Sequence, residues 1–229
     1  MISVSGYVAA RDQFEMFLPG DKIRTIYNGI DLARFSVAQA PVANAVFTVV
    51  FAGQLIPEKG LELLIEAVAQ LKVQDGIVVQ VKVAGAGRSQ SELVALAERL
   101  VPGQIQFLGQ VSDLQEHFRA ADAAVFPSRW AEAFGFVVAE AMACGLPVIV
   151  SDAGALPEVV GADQQAGLIF ESDDVGALAQ QLKRLYSDPA RRQAMGLIAR
   201  QRTETLFSLD RMVDDYVAAC LELLPDNKG

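Results

Sequence analysis

Short apolar runs rich in β-branched residues alternate with stretches of helical periodicity along most of this chain, and this alternation constrains its fold more than any other feature. The run FTVVFAG (47–53) ends in glycine, and GLELLIEAVAQLK (60–72) follows it with apolar residues at helical spacing. Further strands are predicted at 77–85, 104–109, 123–127, 147–151 and 167–170, and further helices at 89–100, 112–120 and around Glu140. Strands alternating with helices pack as a parallel sheet covered on both faces. We therefore predict an α/β fold with a doubly wound parallel sheet.

The two ends of the chain depart from this alternation. The first part is predicted to form a strand–helix–strand preface and then a loop, at 2–5, 7–17, 23–31 and 36–45. From Asp173 onward the periodicity predicts three consecutive helices, at 173–186, 189–205 and 209–224. The sheet should therefore carry extra helices at its C-terminal side.

Charge and cysteine usage exclude several classes of protein. The net charge of −9 argues against a nucleic-acid partner, which requires basic surface. The two cysteines have no metal-binding spacing and form no disulfide framework, which is typical of a reducing cytosol. No run of about 18 apolar residues occurs. We expect a soluble, cytoplasmic protein.

Two glutamates lie where a doubly wound sheet binds its ligands, beyond the carboxyl ends of the strands. In WAEAFGFVVAEAMACGLPVIV (130–150), Glu132 precedes a predicted helix start and Glu140 lies within that helix. Gly135 lets an anion approach the free amides and the positive dipole end of the helix. Eight helical steps span about 12 Å, so the two carboxylates could flank a bound diphosphate, one beside a sugar and one beside a ribose. Two solvated glutamates, one of them a helix cap, are the alternative, and the spacing alone leaves both open.

Five segments, in order, resemble one family. EAFGFVVAEAMACGLPVI resembles the E-x7-E signature of the retaining GT-B glycosyltransferases of family 4, the group 1 glycosyltransferases. IYNGIDLARF is similar to the segment that enters their C-terminal domain, and FAGQLIPEKGLELLIEA to their G-R-L-x-x-x-K-G segment. FLGQVSDLQEHFRAADAAVFPSRWAEAFG and SDAGALPEVVG complete the set at the usual spacing. The resemblance covers nearly the whole chain and implies the Rossmann-like C-terminal half of a GT-B fold.

The resemblance implies a role for each matching residue. Glu140 would hold the ribose hydroxyls of a nucleotide-sugar, and Glu132 would contact the donor sugar near the reacting carbon. Lys59 would neutralise the diphosphate leaving group, so Glu132 and Lys59 are the implied catalytic residues. The other implied binding residues are Gly53, Gln54, Gly85, Phe134, the amides of Gly135 and Phe136, and Phe107, Gly109 and Val111 at the base pocket. A surface lysine for Lys59 and an ordinary turn for Gly109 are the alternatives.

One position departs from the family pattern. Gln54 stands where the family commonly has arginine, so the phosphate site has one cation fewer, and Arg88 or Arg129 are candidates to compensate. The sequence contains no D-x-D motif, and the resemblance implies that Lys59 and the helix start stabilise the leaving group without a divalent ion. We therefore expect no metal and no cofactor. The donor substrate is expected to be a nucleoside-diphosphate sugar, with uridine favoured over guanosine.

The resemblance also implies a partner domain. In the GT-B fold an N-terminal domain binds the acceptor, and ISVSGYVAA resembles only its last strand and helix. We expect residues 1–45 to be the end of that domain with the interdomain connection, 46–205 the nucleotide-sugar-binding domain, and 206–229 a helix that crosses back to the missing domain. The single histidine, His117, is expected to be a structural residue of a helix.

Three functions are compatible with these features. The first is the donor-binding half of a retaining glycosyltransferase, inactive without its acceptor domain or a subunit that supplies it. The second is a non-catalytic module that binds nucleotide-sugar. A nucleotide-sugar epimerase is the third, which the context of the E-x7-E motif disfavours. A full-length enzyme could also lie peripherally on the inner face of the membrane.

The terminal elements carry apolar surface that the sheet does not cover. The final predicted helix has an apolar face at helical spacing, formed by Leu209, Met212, Val213, Tyr216, Val217, Cys220 and Leu224. Soluble proteins usually cover such surface. We predict either self-association through the terminal elements or high mobility of residues 1–20. A monomer whose last helix folds back on its own domain is the alternative.

Overall fold

The computed structural model describes residues 1–38, 44–161 and 163–222 of the 229-residue chain. Its strands are β1 (Ile2–Ser3), β2 (Arg24–Thr25), β3 (Thr48–Ala52), β4 (Gln80–Ala84), β5 (Ile105–Gly109), β6 (Ala123–Phe126), β7 (Val148–Ser151) and β8 (Gly167–Phe170). Its helices are α1 (Gly6–Glu15), α2 (Leu61–Asp75), α3 (Gln90–Leu100), α4 (Leu114–Arg119), α5 (Phe136–Ala143), α6 (Leu156–Val160), α7 (Val175–Ser187), α8 (Pro189–Leu206) and α9 (Leu209–Leu221). None of the described helices is long and apolar enough to cross a membrane.

Six strands form one parallel sheet in the order β5-β4-β3-β6-β7-β8. The chain adds β4 and β5 on one side of β3, then returns to place β6 on the other side. This reversal of direction is the topological switch point of a doubly wound sheet, and ligands of such sheets bind in the crevice there. The predicted fold class is confirmed.

The hydrophobic core lies on both faces of this sheet. Alternate residues of β3 enter two different clusters, with Val49 and Phe51 packed under α2 and α7, and Val50 and Ala52 packed under α5 and α8. All five residues of β3 are buried, which explains why its sequence is a continuous apolar run instead of an alternating one. A strand buried in this way fixes the position of the loop that follows it.

The flanking segments differ in part from their prediction. The segment 23–31 forms a strand only at Arg24–Thr25, which pairs in parallel with β1, because Ile30 makes its bridge to Ser208 instead. The predicted turn at 151–158 contains the start of α6. Pro157 lies in the first turn of this helix, where the missing amide hydrogen of proline costs no hydrogen bond. Residues 39–43 of the predicted loop and 223–224 of the predicted final helix lie outside the described residues. The division into three segments stays a prediction.

Candidate functional site

The loops after β3 and β6 meet at the switch point because these two parallel strands are neighbours. Lys59 ends a short 3-10 turn in the first loop, and Glu132 lies in the second. The Nζ of Lys59 pairs with Oε1 of Glu132, to which the Ser128 hydroxyl also donates a hydrogen bond of 3.2 Å. The side chains of Lys59 and Glu132 are 27% and 21% exposed, so solvent screens their pair only in part.

A cavity of about 300 Å³ opens beside this ion pair. Its volume lies at the lower end of the range for small-molecule sites. The lining residues are Val4, Asn28, Phe51, Ala52, Gly53, Lys59, Phe126, Ser128, Glu132, Ala133, Phe134, Gly135, Phe136, Val137, Val138 and Leu156. The cavity therefore combines mostly apolar walls with one ion pair and one helix start.

The helix start at this cavity is that of α5. Gly135 precedes it with φ of +96°, and a Cβ there would lie 2.7 Å from Cδ2 of Leu156, so both the conformation and the space require glycine. No side chain caps this helix start within the described chain. Its first amides and the positive end of its dipole are thus available to an anion in the cavity.

A second cavity of about 410 Å³ adjoins the first. The two share Ala52, Gly53 and Val137 in their walls. The other residues of the second cavity are Gln54, Ala84, Gly85, Ala86, Gln110, Val111 and Leu114. We call these two adjoining cavities, at the carboxyl ends of β6, β3, β4 and β5, the crevice.

Glu140 lies in α5, three residues after Val137, and so on the same side of the helix as that shared wall residue. Burial of the carboxylate raises its pKa, and the nearby charge of Arg34 lowers it in part. A carboxylate held away from water in this way has unused capacity to accept hydrogen bonds. Glu140 nevertheless does not contribute to the wall of either cavity.

The structure brings most of the sequence-predicted residues together. Gly53, Lys59, Glu132, Phe134, Gly135 and Phe136 line the first cavity, and Gly53, Gln54, Gly85 and Val111 line the second. Three predicted residues lie outside both walls. Phe107 packs its side chain against the hydrophobic core, Gly109 accepts a hydrogen bond of 2.7 Å from the Gly85 amide, and Glu140 lies one turn inside α5.

The arginines considered as substitutes at Gln54 are engaged elsewhere. Arg88 pairs with Glu58, and Arg129 pairs with both Glu62 and Asp173. Arg129 also donates 3.0 Å to the carbonyl of Pro57, which fixes its guanidinium outside the cavities. His117 lies partly exposed on α4.

Several site residues were not predicted from the sequence. Ser128 is the second residue after β6, and its position beyond a strand end is the signal that could have revealed it. Val4 and Asn28 come from the N-terminal preface, which docks on the sheet domain because Glu158 accepts hydrogen bonds from the Gly6 and Tyr7 amides. That contact spans 151 residues, and no local pattern predicts it.

Residues 36–202 match the family model described as Glycosyl transferases group 1. A mannosyltransferase of Corynebacterium glutamicum, named as a GDP-mannose-dependent monoacylated alpha-(1-6)-phosphatidylinositol monomannoside mannosyltransferase, is 34% identical over 203 residues, which cover 81% of this chain and 52% of that protein. A D-inositol 3-phosphate glycosyltransferase of Salinispora tropica is 32% identical, over 90% of this chain and 47% of that protein. The chain thus spans about half the length of these curated relatives.

Solved structures share the fold. A glycosyltransferase of Rickettsia africae superposes with a TM-score of 0.89 at 22% identity, over 99% of this chain and 64% of that one. The Anabaena protein Alr3699/HepE, solved in complex with UDP and glucose, superposes with a TM-score of 0.84 at 25% identity, over 97% of this chain and 62% of that one.

Proposed function

The chain belongs to the group 1 glycosyltransferases, and from this premise we propose that its crevice binds the nucleoside-diphosphate sugar from which a glycosyl group is transferred. One observation carries the proposal: a lysine and an uncapped helix start face the same cavity at the switch point of the sheet. The lysine ammonium and the helix amides are two independent hydrogen-bond donors for a diphosphate, and both face the first cavity.

The diphosphate is proposed to bind between Lys59 and the first turn of α5. The amides of Gly135 and Phe136 donate to the distal phosphate, and Lys59 supplies the positive charge. As the bond between the sugar's anomeric carbon and the phosphate oxygen breaks, negative charge develops on the leaving diphosphate. Groups that are already in place stabilise this charge without the cost of reorganisation.

The nucleoside is proposed to occupy the second cavity. The base lies along the strand end from Phe107 to Val111, held largely by main-chain groups, and Glu140 accepts hydrogen bonds from the ribose hydroxyls. The raised pKa of Glu140 supports this role, because a partly desolvated carboxylate gains from new hydrogen-bond donors. The sugar lies in the first cavity beside Glu132.

We assign the chain to the retaining enzymes of family 4, on the strength of the E-x7-E spacing from Glu132 to Glu140. A uridine donor is proposed ahead of a guanosine donor, as the complex of the Anabaena neighbour with UDP supports. The name of the Corynebacterium relative supports guanosine as the second choice. Neither a metal nor a cofactor is required in this proposal.

Transfer is proposed to require an acceptor-binding domain besides the residues described, in the same chain or in a partner. In that arrangement residues 1–45 connect to the acceptor domain, 46–205 bind the donor and 206–229 pack back on the acceptor domain. A module that binds nucleotide-sugar without transfer is the second candidate. Supplying an acceptor domain from a relative separates the two, since only a donor half gains transferase activity.

Calorimetric titration tests the binding proposal directly. We expect the chain to bind UDP in buffer with EDTA, more tightly than GDP and ADP, and to bind UDP more weakly in Lys59→Met. Val73→Lys, a substitution at an exposed position of α2 away from the crevice, is the control and should bind as the parent does. A parent chain that binds none of the three nucleotides would overturn the proposed function.

A further inference from the structure

In the first cavity the two implied catalytic side chains neutralise each other. The Nζ of Lys59 and Oε1 of Glu132 form an ion pair inside the first cavity, so the cation proposed for the diphosphate is already occupied. We propose that this pair is a specificity device, opened by exchange when the donor binds. Lys59 moves to the diphosphate, and Glu132 accepts hydrogen bonds from hydroxyl groups of the sugar.

The loops that carry the pair are tied together by their backbones. The Arg129 amide donates 2.8 Å to the carbonyl of Glu58, and the Ser128 hydroxyl lies 3.3 Å from the same carbonyl. At Gly60 a Cβ would come within 2.0 Å of the Pro127 carbonyl oxygen, so the backbones touch at this point. The exchange must therefore occur by rotation of the Lys59 side chain, because the loops cannot separate without breaking these contacts.

The backbone of Glu132 is also held from the other side. The Ala155 amide, in the loop after β7, donates 2.8 Å to the Glu132 carbonyl. The side chain of Glu132 has a hydrogen bond from Ser128 that does not depend on Lys59. Glu132 thus keeps a fixed position when Lys59 leaves, and its carboxylate then faces the cavity as an unneutralised acceptor.

This arrangement makes a free diphosphate a poor ligand compared with its sugar conjugate. A free diphosphate can take Lys59 only by leaving the Glu132 charge unpaired beside two phosphates, and like charges at close range repel in a partly buried site. A sugar donor brings hydroxyl groups that donate to the exposed carboxylate and offset that loss. The ion pair therefore favours the complete donor over the product diphosphate, an inference that rests on the proposed function.

Glu132→Gln tests the exchange, because glutamine keeps the shape and the acceptor oxygen but frees Lys59. Titration with UDP should show about three- to tenfold tighter binding in this variant, the scale of a partly exposed ion pair and a removed repulsion. The advantage of a sugar conjugate over its diphosphate should shrink, measured with UDP and UDP-glucose and with GDP and GDP-mannose. Glu66→Gln is the matched control: it removes the same charge from an exposed position of α2 away from both cavities, and UDP affinity should stay unchanged.

A double variant separates exchange from simple repulsion. In the Lys59→Met background, Glu132→Gln should tighten UDP binding much less than it does in the parent. An equal gain in both backgrounds, or no gain in the parent background, would overturn the exchange while leaving the proposed function in place. Absence of nucleotide binding in the parent chain would overturn both.

Discussion

Glu140 is a half-buried carboxylate whose partial burial costs folding stability, while the same burial favours new hydrogen bonds from a ligand. Desolvation raises its pKa, and Arg34 compensates in part. Burial also raises the pKa of Cys144, one turn further along α5, to about 12. The Cys144 thiol therefore stays neutral near neutral pH, and Arg34 is the charge that lowers the pKa of Glu140.

The raised pKa gives Glu140→Gln a pH-dependent effect on stability. Because the folded-state pKa lies above that of the unfolded chain, the stability gained from the bound proton is present at acid pH and is lost as pH rises through the folded-state pKa. We expect Glu140→Gln to raise the free energy of unfolding at pH 7 and to change it little at pH 4. Urea unfolding at both pH values measures this, with Glu66→Gln at an exposed position of α2 as the control.

The same substitution should weaken nucleotide binding. A hydrogen bond to a charged group contributes about 1–3 kcal/mol, so Glu140→Gln should lose UDP affinity by that amount in calorimetry. A variant that is more stable and binds as tightly as the parent would show that the ribose lies elsewhere.

Gln54 is the residue at which the proposed phosphate site differs from the family pattern. It lines the second cavity and follows Gly53, which both cavities share. We expect Gln54→Arg to tighten UDP binding and to leave UMP binding nearly unchanged, because the longer side chain adds a cation on the side of the distal phosphate. Equal tightening of both nucleotides in calorimetry would instead place Gln54 beside the nucleoside.

At the scale of elements, the site depends on the loops after β3 and β6. These loops meet because the strand order makes β3 and β6 neighbours. The sequence predicts β3 and β6 because both are short apolar runs, and it predicts Lys59 and Glu132 as site residues through their motifs. Which strands are neighbours is decided by packing across the sheet, which a local pattern does not encode. For this reason the ion pair and the Ser128 hydrogen bond were not predicted.

Helix α6 is a second case in which a local sequence pattern does not predict the structure. It has five residues, and glycine and proline surround its start, so its sequence is that of a turn. Its Leu156 nevertheless packs close to Gly135 and lines the first cavity. The role of this helix depends on a tertiary contact that turn chemistry alone cannot predict.

The contact between Leu156 and Gly135 supplies a test of the helix start. In Gly135→Ala the new Cβ would approach Leu156 within 2.7 Å at a positive φ, so we expect a loss of about 1–3 kcal/mol in the free energy of unfolding. UDP binding should weaken as well, because the first amides of α5 shift. Gly76→Ala is the control: it has φ of +68° but open space, so it should cost about 1 kcal/mol and leave UDP binding intact. If Gly135→Ala folds and binds UDP as tightly as the parent, the start of α5 does not bind the phosphate.

For the whole molecule, the sheet domain follows from the sequence, while the placement of the terminal elements does not. Glu158 accepts hydrogen bonds from the amides at the start of α1 and from the Tyr27 hydroxyl, whose pKa burial and this carboxylate raise to about 12. At the other end, Arg24 pairs with Glu222 and links the β2 strand to α9. The elements at the two ends of the described chain therefore pack beside each other and against the sheet domain.

These terminal elements still leave apolar side chains uncovered. On α1 and just after it, Phe14 and Phe17 are 82% and 91% exposed. Most of the predicted apolar face of α9 is also exposed within the described chain, at Leu209, Val213, Tyr216, Val217 and Cys220. Exposed apolar surface of this kind is typical of an interface with another protein surface.

We therefore expect the 229-residue chain by itself to self-associate through this surface. Of the two outcomes predicted from the sequence, the hydrogen bonds from Gly6 and Tyr7 to Glu158 favour association over mobility of residues 1–20. Sedimentation velocity at several concentrations should show a weight-average mass that rises with concentration, and Val217→Lys should suppress the rise because it places a charge in the apolar face. Val73→Lys changes a similarly exposed valine on α2 and should leave the association unchanged.

Hydrogen exchange at residues 1–20 is the second readout, since association should slow it as concentration rises. A mass independent of concentration, together with slow exchange at both ends, would mean that the last helix is covered by its own domain and that the prediction is wrong.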